Sequence, residues 1–204
     1  MPTPTVFLVD DDPAVLKSLS RLLRSAGLAC VTFSSGREFL DDHDPNASGC
    51  VVLDVAMPGL NGMELQQALL DRGQELAIVF LTGHGDIPMS VQAMKRGAVD
   101  FLTKPVHDEE LLAAVRVAIE KDCVQRQQRA GVAEIQRRLE TLTPREREVL
   151  EHVLAGHLNK QTAADLGTVE HTIKIHRARV MEKMQVESLA ELVQLAERAG
   201  VGKK

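Results

Sequence analysis

Five short apolar runs punctuate the first half of the chain: TVFLV (5–9), ACVTF (29–33), CVVLD (50–54), AIVFLT (77–82) and DFLT (100–103). Each reads as a buried strand, and the stretches between them carry helical periodicity. In AVLKSLSRLLRSAG, for example, Val15, Leu16, Leu19, Leu22 and Leu23 fall at i, i+3 and i+4 spacing. Strands that alternate with helices need crossover connections. Right-handed crossovers build a parallel sheet covered on both faces, so these residues are expected to form a doubly wound, five-stranded α/β domain.

In such a sheet the ligand site lies outside the carboxyl ends of the strands. Those ends hold Asp10 and Asp11, then Asp54, then Thr82, then Thr103 followed by Lys104. The first of them, FLVDDDP (7–13), crowds Asp10, Asp11 and Asp12 where a strand runs out. Two like charges about 4 Å apart repel by roughly 4 kcal/mol at an effective dielectric near 20. A solvated loop tolerates that, with one carboxylate capping the next helix, and Asp12 before Pro13 suits the cap. Each of these residues alone is structural more often than not. Together they are expected to converge on one rim, where Asp10, Asp11 and Asp54 make a pocket suited to a hard divalent cation. A metal-neutralised carboxylate beside a phosphoryl donor can be the nucleophile that becomes an aspartyl phosphate. The transferring group spreads charge over its oxygens, for which Lys104 supplies a fixed cation and Thr82 a movable hydroxyl donor. Pro105 keeps Lys104 out of the helical region, which holds it at the strand end.

Size and charge divide the chain. Its 204 residues suit one large or two small domains. Residues 1–122 hold 10 Lys and Arg against 18 Asp and Glu, a net of −8, whereas residues 142–204 hold 10 against 9. An acidic first half and a neutral to basic second half point to two domains with different partners. No apolar run approaches the roughly 18 residues of a membrane span. The start, MPTPTVFLV, lacks a secretory signal, and three widely spaced cysteines suggest neither disulfides nor a zinc site, which fits a reducing cytoplasm.

From residue 106 the pattern changes. An amphipathic helix with Leu111, Leu112, Val115 and Ile119 on one stripe passes into a Gln- and Arg-rich stretch with few apolar residues, read as a helical linker over 123–141. Thr143, Pro144 and Glu146 then form a capping-box start for a helix ended by Gly156. NKQTAADL, a break at Gly167 and the basic EHTIKIHRARVMEKM follow, which is a helix-turn-helix arrangement. Ile173, Val180 and Met184 form the buried stripe of the long helix. The opposite side presents His171, Lys174, Ile175 and Ala178, with Thr172 and Arg179 at its margins and Arg177 and Lys183 adding charge. These side chains are placed for the major groove, and Lys160 for a phosphate.

At VDDD, LDVAMPGLNG, TGHGD and KP the first half resembles the receiver domain of bacterial two-component response regulators. At LTPREREVL, NKQTAADLG and HTIKIHRARVMEKM the second half resembles the LuxR-type DNA-binding domain, and the whole chain is similar to the FixJ/NarL family. The resemblance implies a flavodoxin-like receiver over 1–122, the linker over 123–141 and an all-α DNA-binding domain over 142–204. It implies that Asp54 accepts phosphate from a cognate sensor histidine kinase, with no other enzymatic turnover than this self-phosphotransfer and slow autodephosphorylation. Asp11, Asp54 and the backbone carbonyl of Ala56 would bind Mg2+ (or Mn2+), with Asp10 assisting through water. Thr82 and Phe101 would be the switch pair, and Lys104 would hold the phosphate. Double-stranded DNA, a second copy of the chain (paired near residues 87–103) and RNA polymerase are the implied partners. The sequence departs from the family at Thr162, where isoleucine is usual, and at Val169, where a capping serine is common; Thr168 is the substitute cap candidate. A second reading takes Asp10 as the nucleophile of a haloacid-dehalogenase-like phosphatase, since DDDPA loosely fits that family's opening motif.

Overall fold

Five strands alternate with helices through residue 103, as the apolar runs require. The computed structural model describes residues 3–83 and 87–201, so His84, Gly85 and Asp86 of the TGHGD segment lie outside the described residues. The strands are β1 (Thr5–Val9), β2 (Ala29–Phe33), β3 (Gly49–Leu53), β4 (Ala77–Thr82) and β5 (Asp100–Thr103). All pairs are parallel and the order is β2-β1-β3-β4-β5. This is the flavodoxin-type order, whose crevice opens where β1 and β3 diverge to opposite sides.

Side chains alternate between two cores. Phe7 and Val9 of β1 face one, with Phe33, Phe39, Leu65, Leu69 and Phe80, against α2 (Gly36–Asp42), α3 (Gly62–Asp71) and α4 (Ile87–Lys95). Val6 and Leu8 face the other, with Leu23 of α1 (Pro13–Ser25) and Leu111, Val115 and Ala118 of α5 (Asp108–Glu140). Because both faces are covered, β3 and β4 are buried along their whole length, which is why they read as continuous apolar runs.

Contacts within the chain cluster into two units, 1–126 and 127–204, and the division falls inside α5. The stretch expected to be a linker, 123–141, is helical through Glu140. Its later part is also core-forming, since Ile135 and Leu139 are buried with Val149, Leu150, Ile173 and Leu192 in the second unit. That unit continues through α6 (Pro144–Leu154), α7 (Asn159–Asp165), α8 (Glu170–Met184) and α9 (Leu189–Arg198). The Thr143–Glu146 capping box forms as expected, with Thr143 N–H donating to Glu146 at 2.9 Å and Glu146 N–H to Thr143 Oγ1 at 3.3 Å. The start of α8 does not follow the expectation that Thr168 caps it. The cap position is Val169, whose side chain has no acceptor.

Thr162 is 1% exposed and its hydroxyl has no hydrogen-bond partner among the described residues. A buried unsatisfied polar group costs about 1–3 kcal/mol. Thr162→Val, which replaces that hydroxyl by a methyl of similar volume, is therefore expected to stabilise the second unit by about 1 kcal/mol. Chemical denaturation of the two proteins side by side measures this; an equally large loss would mean the hydroxyl has a partner.

Candidate functional site

The polar residues of the first unit meet just beyond the strand ends. Asp10 follows β1 and Asp54 follows β3, one residue past Val9 and Leu53 in adjacent registers. Asp54 N–H donates to Val9 O at 2.9 Å, which continues the ladder and fixes the start of the Asp54 side chain. The loop after Asp54 returns tightly enough that Gly62 N–H donates to Val55 O at 3.0 Å. A Cβ at position 62 would stand 2.3 Å from Asp54 O, so only glycine lets the chain pass there. Asp12 is the N-cap of α1, accepting from Ala14 N–H at 2.8 Å with Pro13 behind it, as the sequence suggests.

Asp10, Asp11 and Asp54 each offer a carboxylate oxygen within 4.8 Å of the others. Asp10 and Asp54 are buried at 4% and 6% exposure, whereas Asp11 is exposed and opens the pocket to solvent. Lys104, immediately after β5 and joined to Pro105 by a cis peptide, places Nζ 2.6 Å from Asp10 Oδ2 and 3.5 Å from Asp54 Oδ1. The first contact is a hydrogen bond; the second is too long for one. Asp10 is thereby committed on both oxygens, since Oδ1 accepts from Asp12 N–H at 3.0 Å. Asp54 Oδ1 is buried and, among the described residues, makes no hydrogen bond of ordinary length. Burial raises the Asp54 carboxyl above its ordinary range; Lys104 opposes that shift and Asp10 reinforces it. Three carboxylates face one ammonium, and among the described residues the nearest cation to the buried Asp54 Oδ1 is Lys104 Nζ at 3.5 Å. That donor set fits a hard divalent cation.

Thr82 is the last residue of β4 and fully buried, and its carbonyl accepts from Lys104 N–H at 2.7 Å. Phe101 on β5 is half-buried, its ring 5.9 Å from that of Phe80. Ala56 is exposed in the loop that follows Asp54.

On α8 the sorting of faces agrees with the sequence. Ile173, Val180 and Met184 are buried, while His171, Lys174, Ile175, Ala178 and Arg179 are exposed and Thr172 is intermediate. Lys174 pairs with Glu170 at 3.1 Å, an exposed contact of the kind that contributes about 0–1 kcal/mol. Lys160 is exposed on α7. Two expected DNA contacts are otherwise engaged. Arg177 donates to Asn159 Oδ1 at 3.3 Å, tying α8 to α7. Lys183 donates to Glu146 Oε2 at 2.7 Å and Thr141 O at 2.9 Å, and it holds the buried Glu146 carboxyl below its usual range. Lys183 therefore anchors the start of α6, a role its sequence position did not signal.

Residues 6–116 match the response regulator receiver domain family, and residues 140–196 match the luxR family of bacterial regulatory proteins. The chain is 48% identical over 193 residues to response regulator protein TodT of Pseudomonas putida, covering 95% of this chain and 85% of that one. It is equally similar, at 48% over 196 residues, to nodulation protein W of Bradyrhizobium diazoefficiens, covering 96% and 86%. Among solved structures, that of response regulator StyR superposes with a TM-score of 0.87 at 45% identity, covering 97% of this chain and all of that one. The phosphatase reading finds no support. A luxR-type domain occupies the second half, and both oxygens of Asp10 are already hydrogen-bonded.

Proposed function

Since the chain belongs to the two-component transcriptional response regulators that couple a receiver to a LuxR-type DNA-binding domain, we propose that Asp54 is its phosphoacceptor and α8 its reader of DNA. The observation that carries this is the contrast between the two buried aspartates. Asp10 has both oxygens engaged, whereas burial raises the Asp54 carboxyl and its Oδ1, in the same pocket, meets among the described residues only the more distant Lys104 ammonium at 3.5 Å.

In the proposed transfer, an Asp54 carboxylate oxygen attacks phosphorus of a kinase phosphohistidine; the P–O bond forms as the P–N bond breaks. Lys104, already between Asp10 and Asp54, turns toward the phosphoryl oxygens and offsets their charge. Asp11, Asp54 and the Ala56 carbonyl would hold Mg2+ or Mn2+, with Asp10 assisting, and such an ion neutralises charge between the carboxylates and the entering phosphoryl group. The Thr82 hydroxyl follows the phosphoryl group, and Phe101, only half-buried on β5, follows Thr82. Slow hydrolysis by water returns the free carboxylate.

The reading places the domain limits at 1–122, 123–141 and 142–204, and the protein in the cytoplasm with its kinase, DNA and RNA polymerase. Among the described residues no helix is long and apolar enough to cross a membrane. Homodimerisation on phosphorylation is supported by Ile87, Val91 and Met94, which expose apolar side chains at i, i+4 and i+7 along α4. Turning such an equilibrium from 1:99 to 99:1 takes about 5.5 kcal/mol of differential stabilisation. DNA titrations with and without acetyl phosphate and magnesium test the whole scheme: cognate affinity should rise on phosphorylation and stay unchanged for a variant lacking Asp54.

The same titrations separate reader from clamp. Lys174→Ala should cost roughly 1–3 kcal/mol on cognate DNA and less on scrambled DNA. Lys160→Ala should weaken both about equally and reduce the salt slope by about one. Equal losses on both duplexes for Lys174→Ala would make it a backbone contact instead.

A further inference from the structure

Neither the strand-end pocket nor the exposed face of α8 uses a third cluster, in the second unit. His152 lies in the last turn of α6, His157 follows the Gly156 turn, and Asp165 is the final residue of α7. Gly156, at φ 79°, reverses the chain so that His157 N–H donates to His152 O at 3.0 Å, which sets the two imidazoles side by side. Their Nδ1 atoms are 2.9 Å apart, and Asp165 Oδ2 lies 3.6 Å from His152 Nδ1 and 3.4 Å from His157 Nδ1.

Those three separations are informative. The carboxylate stands too far from either nitrogen for a hydrogen bond, whose N···O distance is about 2.7–3.2 Å. Metal bonds of about 2.0–2.1 Å in a tetrahedral shell put neighbouring ligand atoms about 3.3 Å apart. The observed triangle brackets that edge. From it we propose that His152, His157 and Asp165 form a site for a first-row divalent transition ion, zinc foremost, with two imidazole nitrogens and one carboxylate oxygen as ligands.

The side chains are 22%, 42% and 48% exposed, so the fourth position is open to water. Imidazole is the ligand that suits zinc, copper and nickel, which sets this site apart from the all-carboxylate pocket of the first unit. The last turn of α6 also favours a cation, because its free carbonyls carry the negative end of the helix dipole. Without metal, the 2.9 Å Nδ1···Nδ1 contact is a hydrogen bond in which one ring donates to the other. With metal, both rings carry their proton on Nε2 and both Nδ1 lone pairs face the ion. The ion would clamp the end of α6 to the end of α7, the first helix of the helix-turn-helix.

Zinc titration of the 15N-labelled full-length protein, with magnesium in millimolar excess to occupy carboxylate sites, tests this. One equivalent of zinc should shift the Nδ1 resonances of His152 and His157 to metal-bound positions and leave those of His43, His107, His171 and His176 in place. It should also raise the unfolding temperature, with saturation at one equivalent. Both His157→Ala, at a half-buried position, and Asp165→Asn, at an exposed one, should weaken zinc binding at least tenfold. A titration with no change at either nitrogen would overturn the proposal. So would zinc binding that magnesium displaces, or that survives in both variants with unchanged affinity, because the ion would then sit on carboxylates or on Cys30, Cys50 or Cys123.

Discussion

Asp54→Asn should take up no phosphate from acetyl phosphate under conditions where the native protein takes up one group per chain. The substitution keeps the size of the side chain and removes its anionic nucleophile. No neighbour can replace it, since Asp10 is held by Lys104 and by the Asp12 N–H, and Asp11 is solvent-exposed. Intact-mass measurement, with hydroxylamine treatment to release acyl phosphate, reads the result. Stoichiometric label on Asp10 would defeat the assignment.

The same variant should be more stable than the native protein at neutral pH. Because the folded-state pKa of Asp54 is raised, mainly by burial, the folded protein binds more protons than the unfolded one between the unfolded and folded values. Stability therefore falls as pH climbs through that window, and the penalty persists above it. Asparagine removes that component. Magnesium should stabilise the native protein more than Asp54→Asn, since it offsets charge that the variant lacks. Thermal unfolding at pH 4, 7 and 8, with and without magnesium, tests both signs.

Asp122→Ala should destabilise the first unit by about 3 kcal/mol, in the range found when one partner of a buried ion pair is removed. Asp122 is 2% exposed on α5. One of its oxygens accepts from Gly49 N–H at 2.9 Å, and the carboxylate also takes Arg126 Nε at 2.9 Å. Arg126 in turn donates to Asn46 O at 2.9 Å and to Ala47 O, so one charged pair secures the loop that enters β3. Gly49 leaves no room for a compensating side chain: its φ is 141°, and a Cβ there would overlap Thr5 O. Removing the carboxylate strands a buried N–H and leaves the guanidinium to its carbonyl contacts at Asn46 and Ala47. Arg126→Ala should cost at least as much, because it leaves the buried Asp122 carboxylate without its counter-charge even though Asp122 keeps the Gly49 N–H. Urea denaturation that finds Asp122→Ala within 1 kcal/mol of native would mean that water replaces the carboxylate.

Much of the strand-end site was legible without coordinates because its residues are tied to element ends. Asp10, Asp54, Thr82 and Lys104 each end or follow a strand, and a parallel sheet brings its carboxyl ends to one rim whatever the loops do. The inward stripe of α8 was legible for a similar reason: Ile173, Val180 and Met184 follow the helical period, and a helix has one buried side. The cap of α8 was not, because Thr168 and Val169 differ by one residue and only the backbone path decides which stands at the boundary.

What the sequence by itself determined is what repeats locally: the strand–helix alternation, the Thr143–Glu146 capping box, the amphipathic faces and the acidic strand ends. Tertiary structure decided the partners. Asp122 meets Gly49 across 73 residues and Lys183 meets Glu146 across 37, and neither pairing leaves a periodic trace. His152, His157 and Asp165 are likewise three unremarkable polar residues until the Gly156 turn and the packing of α6 bring their ligand atoms together. The physical reason is one of range. Backbone sterics and hydrophobic period act over a few residues, whereas a buried charge finds its counterpart wherever the folded chain happens to place one.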